Sequence, residues 1–185
     1  MFSLAVFAFS AASAQAAISC SVKSSCGSGE VNVLELSGTT NAHAALPGAG
    51  YPYAVCCSGA NGLSTSCSQN KVFVKLSGAD NAHARLSTES DYPGSNNACL
   101  SVSNGTLTLS NQENNCNGFD TTIISLVKIP TNSHVGDGSA YPNKICAKYN
   151  APSSSGGGGW LPDWLRGGGG LQNNSDLGSQ IQENP

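Results

Sequence analysis

The strongest constraint on this chain is a stretch of eight residues that occurs three times. It reads LSGTTNAH at residues 36–43 and LSGADNAH at residues 76–83, and a looser copy, VKIPTNSH, ends at His134. Each copy is followed by a Tyr-Pro pair and then by a cysteine. Self-similarity of this kind is typical of proteins built from internal repeats. The sequence predicts three repeats, at about residues 26–57, 67–102 and 116–149.

Short runs of β-prone residues alternate with turn-rich connections in each repeat. In the clearest run, residues 71–76, the side chains of Val72, Val74 and Leu76 share one face and Phe73 lies on the other. This period of two indicates a half-buried strand. Two strands cannot bury a face alone, so we expect the repeats to pack on one another. The sequence predicts an all-β fold, a disulfide-stapled antiparallel β-sandwich built from three internal repeats.

The cysteine content indicates disulfides and an oxidising compartment, because the chain has eight cysteines and one methionine. The cysteines are Cys20, Cys26, Cys56, Cys57, Cys67, Cys99, Cys116 and Cys146. One regular scheme closes each repeat on itself, by the pairs Cys26–Cys56, Cys67–Cys99, Cys116–Cys146 and the remaining Cys20–Cys57. A second scheme closes the short connections, by Cys20–Cys26, Cys56–Cys67 (or Cys57–Cys67) and Cys99–Cys116. We favour the first scheme, which uses all eight cysteines by one rule.

Both ends of the chain differ in composition from its middle. Residues 1–16 have an apolar run too short to span a bilayer, followed by small residues and Ala14-Gln15-Ala16, which predicts a signal peptide. An uncleaved anchor, or lipidation at Cys20, is the alternative.

We place the repeat domain at residues 17–150. Residues 151–185 predict a flexible, disordered Gly/Ser-rich tail, whose Trp160 and Trp164 form either a small apolar face or an exposed part of a linker.

Charge and motifs exclude several functions. Only 10% of the residues are charged and the net charge is -3, so no basic stripe for nucleic acid is present. The sequence has no G-x-S-x-G, H-E-x-x-H or phosphate-binding loop motif, and we expect no enzymatic activity. The expected partners are cell-surface proteins or glycans, or further copies of the chain. We expect no transmembrane segment in the mature chain.

The histidines of the three N-x-H loops are the candidate binding residues, and they are His43, His83 and His134. If the loops gather at one end of the domain, three imidazoles converge and can bind a metal such as Zn or Cu. Alternatively, the preceding asparagine supplies a turn and each histidine locks its own loop by bonding a backbone carbonyl. We prefer this second interpretation, because a residue that recurs once per repeat usually has the same structural role in each.

The motif T-N-A-H or D-N-A-H, followed by Y-P and V-C-C, resembles a repeat of uncharacterised secreted Cys-rich proteins of archaea and poorly cultured bacteria. The resemblance covers about residues 20–150, and the third repeat departs from it at Ile129 to His134. It implies a cell-surface location and a tandem architecture, and it brings no catalytic residue. We therefore expect a secreted or cell-surface structural or adhesive module. The alternative is an extracellular metal-binding or carbohydrate-binding module that uses the N-x-H loops.

Overall fold

The structure is a computed structural model that describes residues 17–67, 71–90, 92 and 96–152. The predicted signal peptide, residues 1–16, lies outside the described residues, and so does the predicted tail from residue 153 onwards with both tryptophans. In the part of the chain that is described, no helix has the length and apolar character needed to cross a membrane.

The described residues contain eleven strands, which form three antiparallel sheets. Sheet 1 has the order β1-β4-β2-β3 and consists of β1 (Ser19–Lys23), β2 (Val31–Leu36), β3 (Ala44–Ala45) and β4 (Tyr53–Ser58). Sheet 2 has the order β6-β5-β7 and consists of β5 (Val72–Leu76), β6 (Ala84–Leu86) and β7 (Asn97–Cys99). Sheet 3 has the order β10-β9-β11-β8 and consists of β8 (Thr106–Glu113), β9 (Thr121–Leu126), β10 (Val135–Gly136) and β11 (Asn143–Asn150).

The sheets share a common plan. In each, a central strand (β2, β5 or β9) pairs on one side with a short strand that follows an N-x-H sequence. On its other side it pairs with a strand that carries a cysteine. All eleven strands pair antiparallel, which confirms the predicted all-β antiparallel fold. The internal repeat itself stays an interpretation of the sequence.

A β-bulge interrupts the pairing of each central strand with its cysteine strand. The extra residue is Val33 in β2, Phe73 in β5 and Ile123 in β9, each close to a strand cysteine of the partner. A bulge breaks the alternation of faces, so two consecutive side chains can turn inward. Phe73 and Val74 are accordingly both buried. The prediction that Phe73 lies on the opposite face from the core is therefore wrong.

One hydrophobic core lies between the three sheets and is sandwich-like in its packing. The last residues of the central strands, Leu36, Leu76 and Leu126, have no exposed surface. They belong to a single cluster of buried residues that draws on all three sheets. Since no one sheet could bury its apolar face alone, this shared core is what holds the sheets together.

All eight cysteines are paired, as Cys20–Cys57, Cys26–Cys56, Cys67–Cys99 and Cys116–Cys146. This is the first of the two schemes considered from the sequence, and no cysteine is free. Each disulfide closes a segment that belongs to one sheet. None of the four joins one sheet to another.

Candidate metal centre

A ring of backbone hydrogen bonds joins the three sheets at the residues that flank the histidines. Reciprocal N–H to carbonyl pairs of 2.8 to 2.9 Å connect Ala44 with Ala82, Ala84 with Ser133, and Val135 with Ala42. In each pair, the residue after one histidine meets the residue before another, so the ring closes on itself. The backbone therefore fixes the three histidines around one point.

The ring also fixes the direction of the histidine side chains. The six flanking side chains, at positions 42, 44, 82, 84, 133 and 135, are at most 1% exposed. Successive side chains in extended backbone point to opposite faces, so the imidazoles point away from the core. All three are half-buried.

The asparagine two residues before each histidine turns the chain into the ring. Asn41, Asn81 and Asn132 have φ values of 47°, 44° and 51°, a left-handed conformation that asparagine adopts more readily than most residues. The predicted turn at these asparagines is present. The backbone of each histidine then closes its own loop, since its carbonyl accepts from the N–H of Ser37, Ser77 or Val127 at 3.0 to 3.1 Å.

The three imidazoles lie against one another. The ring centroids of His43 and His83 are 5.0 Å apart, those of His43 and His134 are 4.9 Å apart, and those of His83 and His134 are 4.6 Å apart. One nitrogen from each ring lies within 4.8 Å of the other two. The Nε2 atoms of His83 and His134 are 3.0 Å apart.

The other nitrogen of two rings faces an oxygen from a different sheet. His134 Nδ1 lies 3.2 Å from the backbone carbonyl oxygen of Asn41, and His83 Nδ1 lies 2.5 Å from the side-chain oxygen of Asn132. For these two histidines, the preferred expectation that each imidazole locks its own loop is wrong. The backbone closes the loop, which leaves the ring free to reach the next one.

Tyrosines of the Tyr-Pro pairs support the asparagine turns from outside. The hydroxyl of Tyr141 accepts the N–H of Asn41 at 2.5 Å, and that of Tyr51 accepts the N–H of Asn81 at 2.9 Å. The ring of Tyr92 instead lies under the guanidinium of Arg85, 4.6 Å away. The Tyr-Pro motif by itself does not give these tyrosines a role. Their regular place after each histidine was the signal that could have revealed it.

Glu35, in β2, holds the loop that carries Tyr51. Its carboxylate accepts the backbone N–H groups of Gly48, Gly50 and Tyr51 at 2.8 to 3.0 Å, and the side-chain amide of Asn32 at 3.1 Å. Burial raises the pKa of Glu35, but these four donors together outweigh it and hold the pKa below its ordinary value of 4.5. No motif in the sequence distinguishes this residue.

Three nitrogen donors converging on one point can hold a cation of intermediate softness. Among the described residues, this is the one group of three or more histidine, cysteine or acidic side chains close enough to hold a metal ion. The disulfides lie towards the other end of the sheets. In sheet 1, Cys57 lies opposite Val31 in the strand register, at the start of β2, whereas His43 follows the end of β2.

The described residues thus define a half-buried cluster of three histidines, which the closed ring holds at the junction of three sheets. Comparisons with family models, with curated proteins and with solved structures gave no match to this chain.

Proposed function

We propose that the chain is a secreted, non-catalytic structural or adhesive module of a cell surface. The observation that carries this proposal is the pairing of all eight cysteines within an all-β domain. Disulfides persist in oxidising compartments and are rare in the cytosol. The signal peptide that the sequence predicts at residues 1–16 supports the same location.

The hydrogen bonds between the sheets support a structural role. Nine backbone hydrogen bonds join the three sheets near the histidines: the six of the ring, and three donated by the N–H groups of Leu46, Leu86 and Asp137. The disulfides constrain the opposite end of the sheets. Sheets that are joined near the loops and are each closed by their own disulfides suit a part that displays a binding surface.

The proposal is tested by expressing the full chain, with residues 1–16, in a host that exports proteins through its inner membrane. We expect a mature protein that begins near residue 17, carries no free thiols and is accessible to a protease added outside the cell. A matched chain lacking residues 2–16 should stay inside with reduced cysteines. Retention of the full chain in the cytoplasm, with free thiols, would overturn the proposal.

A second candidate function, metal binding, is favoured by one observation, the convergence of the three imidazoles. It is compatible with the structural role, because an ion at this position joins all three sheets.

A further inference from the structure

We propose that His43, His83 and His134 form a binding site for a divalent first-row transition ion of the zinc class. The ion is held by Nε2 of His83 and His134 and by a ring nitrogen of His43, with its fourth position open to solvent. This site is independent of the structural role, so a chain that fails to bind the ion would still be a structural module.

The spacing of the nitrogen atoms fits such an ion. Zinc binds imidazole nitrogens at about 2.1 Å, so the ligands of one tetrahedral ion lie about 3.4 Å from one another. The Nε2 atoms of His83 and His134 are 3.0 Å apart, and all three donor nitrogens lie within 4.8 Å of one another. Reaching about 3.4 Å changes the distance between the Nε2 atoms of His83 and His134 by about 0.4 Å and the other donor distances by at most about 1.4 Å, which small rotations of the rings can supply.

The hydrogen-bond partners of the rings select the tautomer that a metal requires. A carbonyl oxygen can only accept, so Nδ1 of His134 must carry the hydrogen that it shares with the Asn41 carbonyl. The side-chain oxygen of Asn132 selects the same tautomer in His83. Partners of this kind orient metal-binding histidines and leave Nε2 as the free donor.

The same tautomers make the arrangement unfavourable without a cation. With hydrogen on both Nδ1 atoms, the neutral rings of His83 and His134 direct two lone pairs at each other across 3.0 Å. A positive charge placed between them turns this repulsion into attraction. A shared proton is the competing cation, and it would leave His43 without a role in the cluster.

The donor set and the exposure select the class of ion. The three donors are all imidazole, which suits zinc, copper, nickel and cobalt, whereas calcium and magnesium require oxygen ligands. The rings are half-buried, so solvent or an anion can reach the fourth position. Three protein ligands with an open position are the arrangement found where zinc binds an exchangeable ligand.

An ion at this site would add coordination bonds between the three sheets, which the shared core and the hydrogen bonds of the ring already hold together. Each disulfide closes a segment of a single sheet, and the ring consists of hydrogen bonds. One histidine comes from the loop before β3, one from the loop before β6 and one from the loop before β10. Because the unfolded chain does not hold the three imidazoles together, ion binding must also stabilise the fold.

The test uses the oxidised full chain, stripped of metal with a chelator and titrated with Zn²⁺ alone by calorimetry. We expect one Zn²⁺ per chain, a higher melting temperature with Zn²⁺ and no such effect of Mg²⁺ or Ca²⁺. The Co²⁺ form should show the intense visible absorption of a four-coordinate ion. Absence of saturable one-to-one binding, or binding without a rise in melting temperature, would overturn the proposal.

Substitutions locate the ion. His43→Ala should weaken Zn²⁺ binding by more than the 10- to 100-fold, roughly, that loss of an outer partner costs. If it does not fold, His43→Gln gives the same test with a side chain of similar size. Tyr51→Phe is the matched control, since it removes a hydroxyl bonded to the neighbouring turn and keeps all three imidazoles. Zn²⁺ binding that survives in a folded His43 variant would place the ion elsewhere.

Discussion

Single side chains near the ends of the central strands hold the loops of this protein. The clearest case is Glu35, whose buried carboxylate accepts three backbone N–H groups of the loop between β3 and β4. The corresponding positions of the other two central strands are Lys75 and Ser125, which bond the carbonyl groups of Glu89 and Asp137. Different side chains at the same position thus form hydrogen bonds with backbone groups of the connection before the next strand.

The depressed pKa of Glu35 makes stability depend on pH. Because the folded state holds this pKa below 4.5, the unfolded state binds more protons in that range. The stabilisation is complete above the unfolded value and is lost as pH falls through the folded value. We expect Glu35→Gln to lose about 1.5 to 3 kcal/mol at neutral pH, as for hydrogen bonds to a charged group. The variant should also show a weaker loss of stability between about pH 5 and pH 3 than the parent chain.

Chemical denaturation at several pH values measures this effect. Glu113→Gln is the matched control, because Glu113 is an exposed glutamate at the end of β8 and its change alters the net charge equally. Parallel pH curves for the parent chain and Glu35→Gln would show that the carboxylate is not the source of the dependence.

At the scale of elements, the short strands β3, β6 and β10 are the ones that join the three sheets through the ring. Each has only two or three residues, yet together with the residue before each histidine they form the ring. Directly after the ring residue Val135, the chain has no room for a side chain. In β10, a Cβ at Gly136 would lie 2.5 Å from Ala140 Cβ and 3.0 Å from the carbonyl oxygen of Thr39.

We therefore expect Gly136→Ala to destabilise the fold by about 1 to 3 kcal/mol, the usual cost of overpacking. The backbone of Gly136 lies outside the left-handed region, so the penalty arises from contact and not from φ. Gly38→Ala is the control, since its new Cβ would meet nothing closer than 3.4 Å. Equal melting temperatures for the two variants would contradict the close approach of β10 to the loop at Thr39.

The strands differ in how well the sequence predicts them. The central strands are predictable, because their β-prone residues recur before each N-x-H sequence. The bulge that buries Phe73 beside Val74 is not, because it depends on the register with β7. The short strands cannot be predicted from the sequence either, since two residues such as Ala44 and Ala45 are too few to show a period of two. Their pairing comes from contacts between sheets, as does the meeting of the histidines.

At the scale of the whole molecule, the disulfides differ in how much each one adds. Cys20–Cys57 and Cys26–Cys56 close almost the same segment of sheet 1, whereas Cys67–Cys99 alone closes the segment of sheet 2. In the chain-entropy model, a loop of this size is worth about 3.7 kcal/mol, and a second bridge that closes only a short remaining loop about 2.4 kcal/mol.

We expect replacement of Cys67 and Cys99 together by alanine to cost roughly 1 kcal/mol more than the same replacement of Cys20 and Cys57. The two pairs are matched, since each has one buried and one more exposed cysteine. Urea denaturation without reductant gives both free energies of unfolding. A larger loss for the Cys20 and Cys57 variant would show that the two bridges of sheet 1 are not redundant.

The order of the cysteines along the chain has a consequence for biogenesis. If the chain is oxidised while it is being exported, its cysteines emerge one after another, and neighbours are the first to meet. Joining neighbours gives the native Cys67–Cys99 and Cys116–Cys146 pairs directly. It does not give the nested bridges of the first four cysteines, for which it would join Cys20 to Cys26. Under that condition, we expect sheet 1 to reach its native pairing only after its first disulfides rearrange.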